Sequence, residues 1–477
     1  MVSAKFLPFD PDTLKKKDRI TKKLTEILGV DSVITDYDGR RAYEMDALVT
    51  HSQTPLAVVL PSTIQQVCIL MRFCSKERLK VFPRGAGTSL CGGALPTEDG
   101  IVVCISRMNK VLEIDCPNRF MRVEAGITNY AISEAVAAEG YFFAPDPSSQ
   151  LACTIAGNIA TNSSGVRCLK YGTTLNNVLG LKIVTIEGKI LNIGGAYHDP
   201  IGLDLLGLMV GSEGQLGIVT EVTVRLVHKT EYSRPLIMGF LSSANAVDCV
   251  IAIISSGIIP SSIEYMDKSA IHLCEGFEKT GYPLDVDALL IVEVEGSECE
   301  VSILLDYIRD IANHFSPHEI LISDSAYKSS EIWRGRNSIL SALAQSSGFH
   351  IIDCTIPLIQ LPTALLEISD ICKSYGLEVV NIFHAGNGIL HPFIIYDSNN
   401  SQQHDMVKRA SADILKLCVE MGGCLTGAHG IGVEKRDLMK FLFSESDLIL
   451  QSRVKSALDP HWLLNPGKVL PLDFHNT

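Results

Sequence analysis

The chain has 477 residues, of which 46% are hydrophobic and 20% charged, and its formal net charge is −13 at pH 7. This length predicts two or more domains, and the composition is that of a packed globular protein rather than a disordered one. The acidic balance argues against a general nucleic-acid-binding role, which needs a basic surface. The sequence also lacks an apolar run of roughly 18 residues that would predict a membrane span, and its first residues have no apolar core typical of a secretion signal.

The fourteen cysteines lie mostly within apolar stretches, as Cys68, Cys104, Cys354 and Cys418 do. This placement predicts reduced core thiols of a cytoplasmic protein. The sequence contains no Cys-x-x-Cys pair, so we expect neither an iron–sulfur cluster nor a zinc ribbon in this chain. If the protein passes electrons onward, a cluster must belong to a partner.

Residues 1–50 are predicted to form a helical lead-in. From Pro55, short β-type runs (LAVVLP, KVFPR, GIVVCIS, VLEID, MRVEAG) are interrupted by a predicted helix at 63–79. A second helix is expected at about 129–139, ended by Gly140 in a left-handed cap. LKIVTIEG and KILNIG are predicted to form a hairpin, and a long strand, GIVTEVTVRLVHK, follows. This irregular mixture favours an α+β domain over residues 51–230.

After residue 230, apolar strands alternate with longer helices. The predicted strands are LIMGFL, LLIVEVEG, HIIDCTIPL and LEVVNIFHAG, and the predicted helices lie near 244–255, 298–314 and 362–375. This pattern indicates a second, α/β domain over residues 231–440 that acts as a cap. Residues 441–477 contain a predicted helix at 447–458, end in NPGKVL, and are expected to return to the first domain.

Four segments are rich in glycine: residues 83–93 (PRGAGTSLCGG), 145–172, 211–217 (GSEGQLG) and 422–432 (GGCLTGAHGIG). They combine small polar residues with isolated apolar anchors, which suits backbone pressed against a large polar ligand. RGAGTS follows a short strand, as a phosphate-binding nest should. It is not a Rossmann fingerprint, because Leu90 stands where the third glycine belongs, and it is not a Walker loop. Considered alone, this loop is also compatible with an ordinary tight turn.

Taken in order, PRGAGTSLCGG, PDPSSQLACTIAGNIATNSSG and LMVGSEGQLGIVTE resemble the flavin-binding domain of the vanillyl-alcohol-oxidase (PCMH-type) flavoproteins. Within this group, the chain most resembles the family of the glycolate oxidase flavin subunit and the FAD-linked D-lactate and D-2-hydroxyacid dehydrogenases, from about Tyr43 to Lys468. The resemblance implies an α+β fold with a two-subdomain FAD-binding domain, an α/β cap (substrate) domain and a C-terminal helical segment.

The resemblance further implies FAD held between two α+β subdomains. Arg84, Gly85, Ala86, Gly87, Thr88 and Ser89 would hold its pyrophosphate. The residues implied to surround the flavin are Pro145, Asp146, Ser148, Gly157, Asn158, Thr161, Asn162, Gly165, Gly211, Glu213, Gly217, Ile218 and Val219. Asn465 and Lys468 would approach its edge. Thr88 stands in the loop where covalent members carry a histidine, so we expect non-covalent FAD.

His384 and His391 bracket the turn HAGNGILH. Two such histidines are commonly structural, but the resemblance implies that they bind a divalent metal such as Zn or Mn. Ala428 stands where similar enzymes carry a metal-binding Glu, which predicts a weakened metal site. Asn387, Ile389 and Leu358 also replace residues that are more polar or charged in similar enzymes.

The implied reaction is FAD-dependent oxidation of a D-2-hydroxy acid, glycolate or D-lactate, to the 2-oxo acid, with hydride transfer to flavin N5. His429 would be the base that takes the hydroxyl proton, and Arg336 would bind the substrate carboxylate. Without the resemblance, Arg336 suits a solvated helix face. Similar subunits work with a second flavin-domain subunit and an iron–sulfur subunit. We therefore expect these partners and a cytoplasmic location, peripheral at the inner membrane through them.

Two alternatives stay open. The first is a flavin-binding structural subunit of a glycolate oxidase complex, with catalysis impaired because of Ala428. The second is a non-redox member of the same flavin fold, or one that acts on aromatic alcohols; His384, His391, His429 and Arg336 together disfavour it.

Overall fold

The computed structural model describes residues 6–196, 202–346 and 348–474. The α-helices, in chain order, are α1 (Pro11–Lys15), α2 (Lys17–Leu28), α3 (Tyr37–Arg41), α4 (Ile64–Glu77), α5 (Asn129–Glu134), α6 (Ile155–Thr161), α7 (Cys168–Tyr171), α8 (Thr174–Asn177), α9 (Leu205–Met209), α10 (Ser243–Ser255), α11 (Lys268–Glu278), α12 (Glu298–Asn313), α13 (Ala326–Asn337), α14 (Ile339–Ser346), α15 (Leu361–Ser374), α16 (Ser401–Glu420), α17 (Met439–Leu442) and α18 (Glu445–Leu458). Within these ranges, no helix is both long and apolar enough to cross a membrane.

The strands, in chain order, are β1 (Val33–Ile34), β2 (Ala57–Val59), β3 (Lys80–Arg84), β4 (Gly100–Cys104), β5 (Val111–Asp115), β6 (Phe120–Glu124), β7 (Tyr141–Phe142), β8 (Val178–Val184), β9 (Ile190–Gly194), β10 (Ile218–Arg225), β11 (Val227–His228), β12 (Tyr232–Phe240), β13 (Ser262–Asp267), β14 (Ala288–Gly296), β15 (Glu319–Ile322), β16 (Gly348–Ile351), β17 (Cys354–Thr355), β18 (Glu378–His384), β19 (Ile389–Leu390) and β20 (Pro392–Tyr396). The chain forms two compact units. Unit 1 spans the described residues of 1–165, 172–229 and 428–477, and unit 2 spans 166–171 and those described in 230–427.

Unit 1 contains two larger sheets. One has the order β1-β2-β4-β3, in which β2, β4 and β3 run parallel and β1 is antiparallel to β2. The other is antiparallel, with the order β5-β6-β10-β8-β9. Buried side chains from both sheets and from α4 form one hydrophobic core that includes Met71, Val81, Ile183 and Val222. Burial of this apolar surface is the main contribution to the stability of the unit.

The local signals in the sequence explain several element ends. Thr63 Oγ1 accepts a hydrogen bond from the Gln66 amide and caps α4. Gly140 adopts φ 75° and ends the turn that follows α5, so the predicted helix at 129–139 is a short α-helix followed by a 3-10 turn. β8 and β9 form the predicted antiparallel hairpin. All fourteen cysteines are free thiols, and most are buried.

The C-terminal residues are anchored beside β3. The Val81 amide donates to Leu463 O over 2.7 Å, and the Asn465 amide donates to Val81 O over 2.7 Å. Lys455 is buried, and its Nζ donates to Asp459 Oδ2 (2.6 Å), Leu464 O (2.8 Å) and Gln215 O (2.5 Å). Burial lowers the pKa of Lys455 to about 8, although the Asp459 carboxylate acts in the opposite direction. These bonds satisfy a cation that would otherwise be costly to bury.

Unit 2 is built on an antiparallel sheet with the order β15-β12-β14-β13-β18-β19-β17. Strand β20 pairs with β18 on one side and with β16 on the other. The sequence analysis did not predict β13 and α11. The sequence of β13, SIEYMD, carries two carboxylates, which masks the apolar signal of a buried strand. Residues 166–171 belong to unit 2, where Lys170 Nζ lies 3.0 Å from Glu295 and Tyr171 also donates to that carboxylate. Residues 428–440, assigned to the cap from the sequence, lie in unit 1.

Candidate functional site

The loop that follows β3 is closely packed. A Cβ atom added at Gly85 would lie 2.2 Å from Thr154 Oγ1, and one added at Gly87 would lie 2.0 Å from Arg84 Nη2. Gly87 also has φ 76°, which favours glycine. The Arg84 guanidinium therefore lies against its own loop. It donates to Met45 O over 2.8 Å and lies over the Tyr43 ring at 5.5 Å.

Helix α6 organises the second glycine segment. Thr154 Oγ1 caps its start by accepting from the Gly157 amide, and Asn162 ends it in a left-handed conformation. Ile155 and Ile159 are buried in the core of unit 1, as isolated apolar anchors should be. A Cβ atom added at Gly165 would lie 2.4 Å from the carbonyl of Asp146, so the loops on either side of α6 touch.

The segment before β10 packs on the end of α6. The Gly211 amide donates to Ile159 O and the Glu213 amide to Ala160 O, both over 2.8 Å. Asn465 Nδ2 donates to Glu213 O (2.7 Å) and Gly93 O (2.9 Å). The segments 84–93, 145–165, 211–217 and 428–432 of unit 1 are therefore neighbours, and we call them the glycine cluster. The remaining residues expected around the flavin lie on the same segments or at the start of β10: Ala86, Thr88, Ser89, Pro145, Ser148, Asn158, Thr161, Gly217, Ile218 and Val219.

The glycine cluster suits a polar dinucleotide such as FAD. Its glycines bring backbone segments to within contact distance, where a side chain would collide. Ser164 Oγ and Asn465 Oδ1 are buried and make no hydrogen bond with any residue that the structure describes. Buried polar atoms normally have partners, so these two are candidates to bind a ligand.

Lys468, expected at the flavin edge, is buried in unit 1. Its Nζ donates to Leu95 O over 2.8 Å and lies 5.0 Å from the centre of the Phe82 ring. Burial lowers the pKa of Lys468 to about 7 from the usual 10.5. The unfolded chain therefore holds a proton at this amine between pH 7 and 10.5 that the folded chain lacks.

This difference predicts a pH effect on stability. The free energy cost of burying the Lys468 cation is complete below pH 7 and is relieved as pH rises through 7 to 10.5, so stability rises with pH in that window. A Lys468→Met variant removes the proton and keeps the shape. Relative to this variant, we expect the wild type to gain about 2 kcal/mol of unfolding free energy between pH 7 and pH 9. Urea unfolding of both proteins at the two pH values measures it, and a constant difference would contradict it.

The segment that carries His429 is bound to the rest of unit 1 by Glu213 and Cys91. Glu213 Oε1 accepts from the Ile431 amide (2.6 Å), and Oε2 accepts from the Gly432 amide (2.8 Å). The Cys91 thiol donates to His429 O over 3.1 Å. Burial raises the pKa of Glu213 to about 7, although the two amide bonds act in the opposite direction. The carboxylate of Glu213, expected at the flavin, thus orders the His429 segment.

His429 is thereby placed beside other residues expected to line the flavin. A Cβ atom added at Gly430 would lie 2.8 Å from Glu213 Oε1 and 3.3 Å from Thr161 Cγ2. Gly430 has φ 89°, so a side chain here would also strain the backbone. The His429 segment therefore belongs to the glycine cluster.

Unit 2 contains a buried charged group centred on Glu264, whose side chain has 0% exposure. Arg336 donates to Glu264 Oε2 from Nε (2.8 Å) and Nη2 (2.7 Å), and His384 Nδ1 lies 2.7 Å from Glu264 Oε1. Burial alone would raise the pKa of Glu264, but the charges of His384 and Arg336 outweigh it and lower the pKa. Arg336 is thus buried, not on a solvated helix face, and part of its guanidinium binds a protein carboxylate.

His391 lies next to this group. The ring centres of His384 and His391 are 5.2 Å apart, with an interplanar angle of 86°. Asp353 Oδ1 lies 3.6 Å from His391 Nδ1. Its other oxygen, Oδ2, accepts from Thr426 Oγ1 (2.6 Å) and from the Gly427 amide (2.9 Å). Unit 2 therefore places two imidazoles and two carboxylates in one buried cluster.

The sequence analysis did not single out Glu264, Asp353 or Cys91. Glu264 and Asp353 are acidic residues within otherwise apolar runs, SIEYM and HIIDCTI, and this contrast is the signal that would have identified them. An acidic residue in a buried strand is costly unless it is paired, so it usually indicates a specific polar site.

Comparison with known proteins gives the class of the molecule. Residues 55–194 match the family model "FAD binding domain", and residues 229–469 match "FAD linked oxidases, C-terminal domain". Two solved structures share the fold. p-Cresol methylhydroxylase is 16% identical, with TM-score 0.83 and coverage of 98% of both chains; 4-ethylphenol oxidase from Gulosibacter chungangensis is 17% identical, with TM-score 0.81 and coverage of 98% of this chain and 100% of that one.

Relatives of higher identity narrow the class. Glycolate oxidase subunit GlcD from Escherichia coli K12 is 40% identical, over 94% of this chain and 88% of the relative. The protein of the same name from Bacillus subtilis is 34% identical, over 95% and 97% of the two chains. D-lactate dehydrogenase from Archaeoglobus fulgidus is 31% identical, over 94% and 99%. The chain belongs to the FAD-linked oxidase family, which confirms the predicted family, the α+β fold class and the assignment as an FAD-linked oxidoreductase.

Proposed function

We propose that this chain oxidises a D-2-hydroxy acid, glycolate or D-lactate, to the 2-oxo acid with non-covalent FAD. The names of the relatives support this substrate class. The observation that carries the proposal is the position of His429, whose segment is fixed by Glu213 and Cys91 within the glycine cluster. An imidazole with a pKa near 6.5 suits removal of a proton at neutral pH.

The glycine cluster would hold FAD, which would supply an acceptor for the hydride from the hydroxyl-bearing carbon. The protein supplies the remaining steps. His429 takes the hydroxyl proton. His384 and His391 would hold a divalent cation such as Zn²⁺ or Mn²⁺, which would supply Lewis-acid polarisation of that hydroxyl. Arg336 binds the substrate carboxylate end-on through its Nη groups, since its Nε edge is bound to Glu264.

A second function is favoured by two observations. Arg336 already binds a protein carboxylate, and Ala428 offers no metal ligand. Both suit a flavin-binding structural subunit with impaired catalysis. The word "subunit" in the relatives' names supports membership of a complex. In either function we propose, as the family resemblance implies, that a second flavin-domain subunit and an iron–sulfur subunit are the partners.

Anaerobic titration separates the two functions. We expect glycolate or D-lactate to bleach the oxidised flavin absorbance of the purified holoprotein, because hydride transfer reduces the ring. An Ala428→Glu variant, measured in parallel, shows whether a carboxylate at this position increases the rate. If neither protein responds to any 2-hydroxy acid while both carry FAD, the structural subunit is the correct function.

A further inference from the structure

The loop that follows β3 is bound at both of its ends by one short segment, residues 43–48. At the start of the loop, Arg84 Nη1 donates to Met45 O over 2.8 Å, and the guanidinium carbon lies 5.5 Å from the centre of the Tyr43 ring. At its end, the Ala94 amide donates to Asp46 Oδ2 over 3.3 Å. We call residues 43–48 the N-terminal clamp. The clamp precedes residues 55–194, which match the FAD-binding family model.

The N-terminal clamp is itself fixed in place. Asp46 is 5% exposed, and its Oδ1 accepts from the Leu48 amide over 3.0 Å in a turn of the type that aspartate commonly forms. Glu44 O accepts from the Gln53 amide (2.8 Å), and Glu44 Oε2 accepts from Thr54 Oγ1 (2.9 Å), just before β2. These contacts order the clamp without any contribution from the loop that it binds.

The charge of Asp46 acts on Arg84. Burial raises the pKa of Asp46, while its two amide bonds and the charge of Arg84 act in the opposite direction. Burial lowers the pKa of Arg84, and the charge of Asp46 is among those that oppose this shift. Each group thus favours the charged form of the other. A carboxylate would repel a phosphate that it contacted, so Asp46 suits a role in holding the loop and its cation rather than in contacting the ligand.

We propose that the N-terminal clamp orders residues 84–94 for the pyrophosphate of FAD and that Asp46 is the positioning residue of the clamp. A loop that already has its bound conformation loses less conformational freedom when the ligand binds, which increases affinity. Asp46 acts on the cofactor only through this loop. The inference rests on the proposed function only for the use of non-covalent FAD.

Titration of the flavin-stripped full chain with FAD tests the proposal, with flavin fluorescence as the signal. Asp46→Asn should weaken FAD binding by about 10-fold, because the side-chain nitrogen of asparagine faces either the Leu48 or the Ala94 amide and one hydrogen bond is lost. Hydrogen exchange at Leu48 and Ala94 identifies the bond that is lost.

The phosphorus NMR resonances of bound FAD separate positioning from a general loss of stability. In Asp46→Asn they should shift, because the loop around the pyrophosphate changes, whereas the visible spectrum of the bound flavin should stay that of the wild type. Asp267→Asn is the matched control: this carboxylate also accepts from two backbone amides, those of Ala270 (2.8 Å) and Asn381 (2.6 Å), but lies in unit 2. It should leave FAD affinity and the phosphorus resonances unchanged.

Tyr43 offers a second, independent test of the clamp. Tyr43→Leu removes the ring beside the Arg84 guanidinium, a contact worth about 3- to 30-fold in an equilibrium constant, and should weaken FAD binding within that range. Tyr43→Phe keeps the ring and should bind FAD as the wild type does. This pair decides the proposal if thermal unfolding shows that Asp46→Asn does not fold.

The proposal is overturned if folded Asp46→Asn binds FAD within about threefold of the wild type or leaves the phosphorus resonances in place. It is also overturned if Asp267→Asn weakens binding equally, or if Tyr43→Leu and Tyr43→Phe bind FAD alike. No hydroxy acid is present in these titrations. FAD binding that depends on Asp46, in a protein whose flavin no hydroxy acid reduces, would therefore support the clamp and contradict only the proposed reaction, whereas a folded wild type that binds no FAD would overturn both.

Discussion

A Gly85→Ala variant is expected to lose most of its FAD. The new Cβ atom would lie 2.2 Å from Thr154 Oγ1, so the loop after β3 and the start of α6 must separate. Overpacking of this kind costs about 1–3 kcal/mol, which corresponds to roughly 10- to 100-fold in affinity if the displaced loop binds the cofactor. The ratio of flavin to protein absorbance after dialysis against a fixed FAD concentration measures the loss.

Two further variants serve as the control and the rescue for this experiment. Gly276→Ala adds the same methyl group on α11, where no described atom outside the adjacent residues and the helix backbone lies within 4 Å, and should leave the flavin content unchanged. Gly85→Ala with Thr154→Ala removes the colliding hydroxyl and should recover part of the bound FAD. Full flavin content in Gly85→Ala would show that this loop does not contact the cofactor.

Glu213→Gln is expected to slow flavin reduction by a hydroxy acid about 100-fold, because misplacement of a catalytic group by about 1 Å has an effect of this size. Glutamine keeps one acceptor oxygen but turns an amide nitrogen toward the Ile431 or Gly432 N–H, and one buried N–H is left without a partner. Such a loss costs about 1–3 kcal/mol, and the segment that carries His429 should loosen.

Stopped-flow reduction under anaerobic conditions measures the rate, and hydrogen exchange at Ile431 and Gly432 reports the loosening. Glu221→Gln is the matched control, because Glu221 also lies on a segment of unit 1, on β10, and its half-buried carboxylate pairs with Arg122 and Lys182 instead of with backbone amides. Unchanged exchange at Ile431 and Gly432 in Glu213→Gln would rule out the ordering role of Glu213.

The sequence predicted the elements whose signals are local. Periodic apolar residues and caps located α4, α10, α12, α15 and α18 to within a few residues. β13 was missed because Glu264 and Asp267 interrupt its apolar pattern. The glycine segment 422–432 was treated as one feature, but the two units divide it at Gly427 and Ala428.

The residues of the candidate site were likewise predicted only where their signal is local in the sequence. The glycine loops and the pair His384 and His391 were found because their signals are short motifs. Glu264 and Asp353 were missed because each acts through residues distant in sequence: Glu264 through Arg336 and His384, and Asp353 through His391, Thr426 and Gly427. Such pairings depend on strand register, which a single sequence does not reveal.

The anchoring of the C-terminal residues has a consequence for biosynthesis. Val81 is made early, yet its hydrogen-bonding neighbours Leu463 and Asn465 leave the ribosome only after all of unit 2. Lys455 and Asp459, which stabilise the same region, also come late. The nascent chain must therefore keep an incomplete first core while the second unit is being translated, and a message cut short near its end would yield a polypeptide whose β3 edge stays open to aggregation.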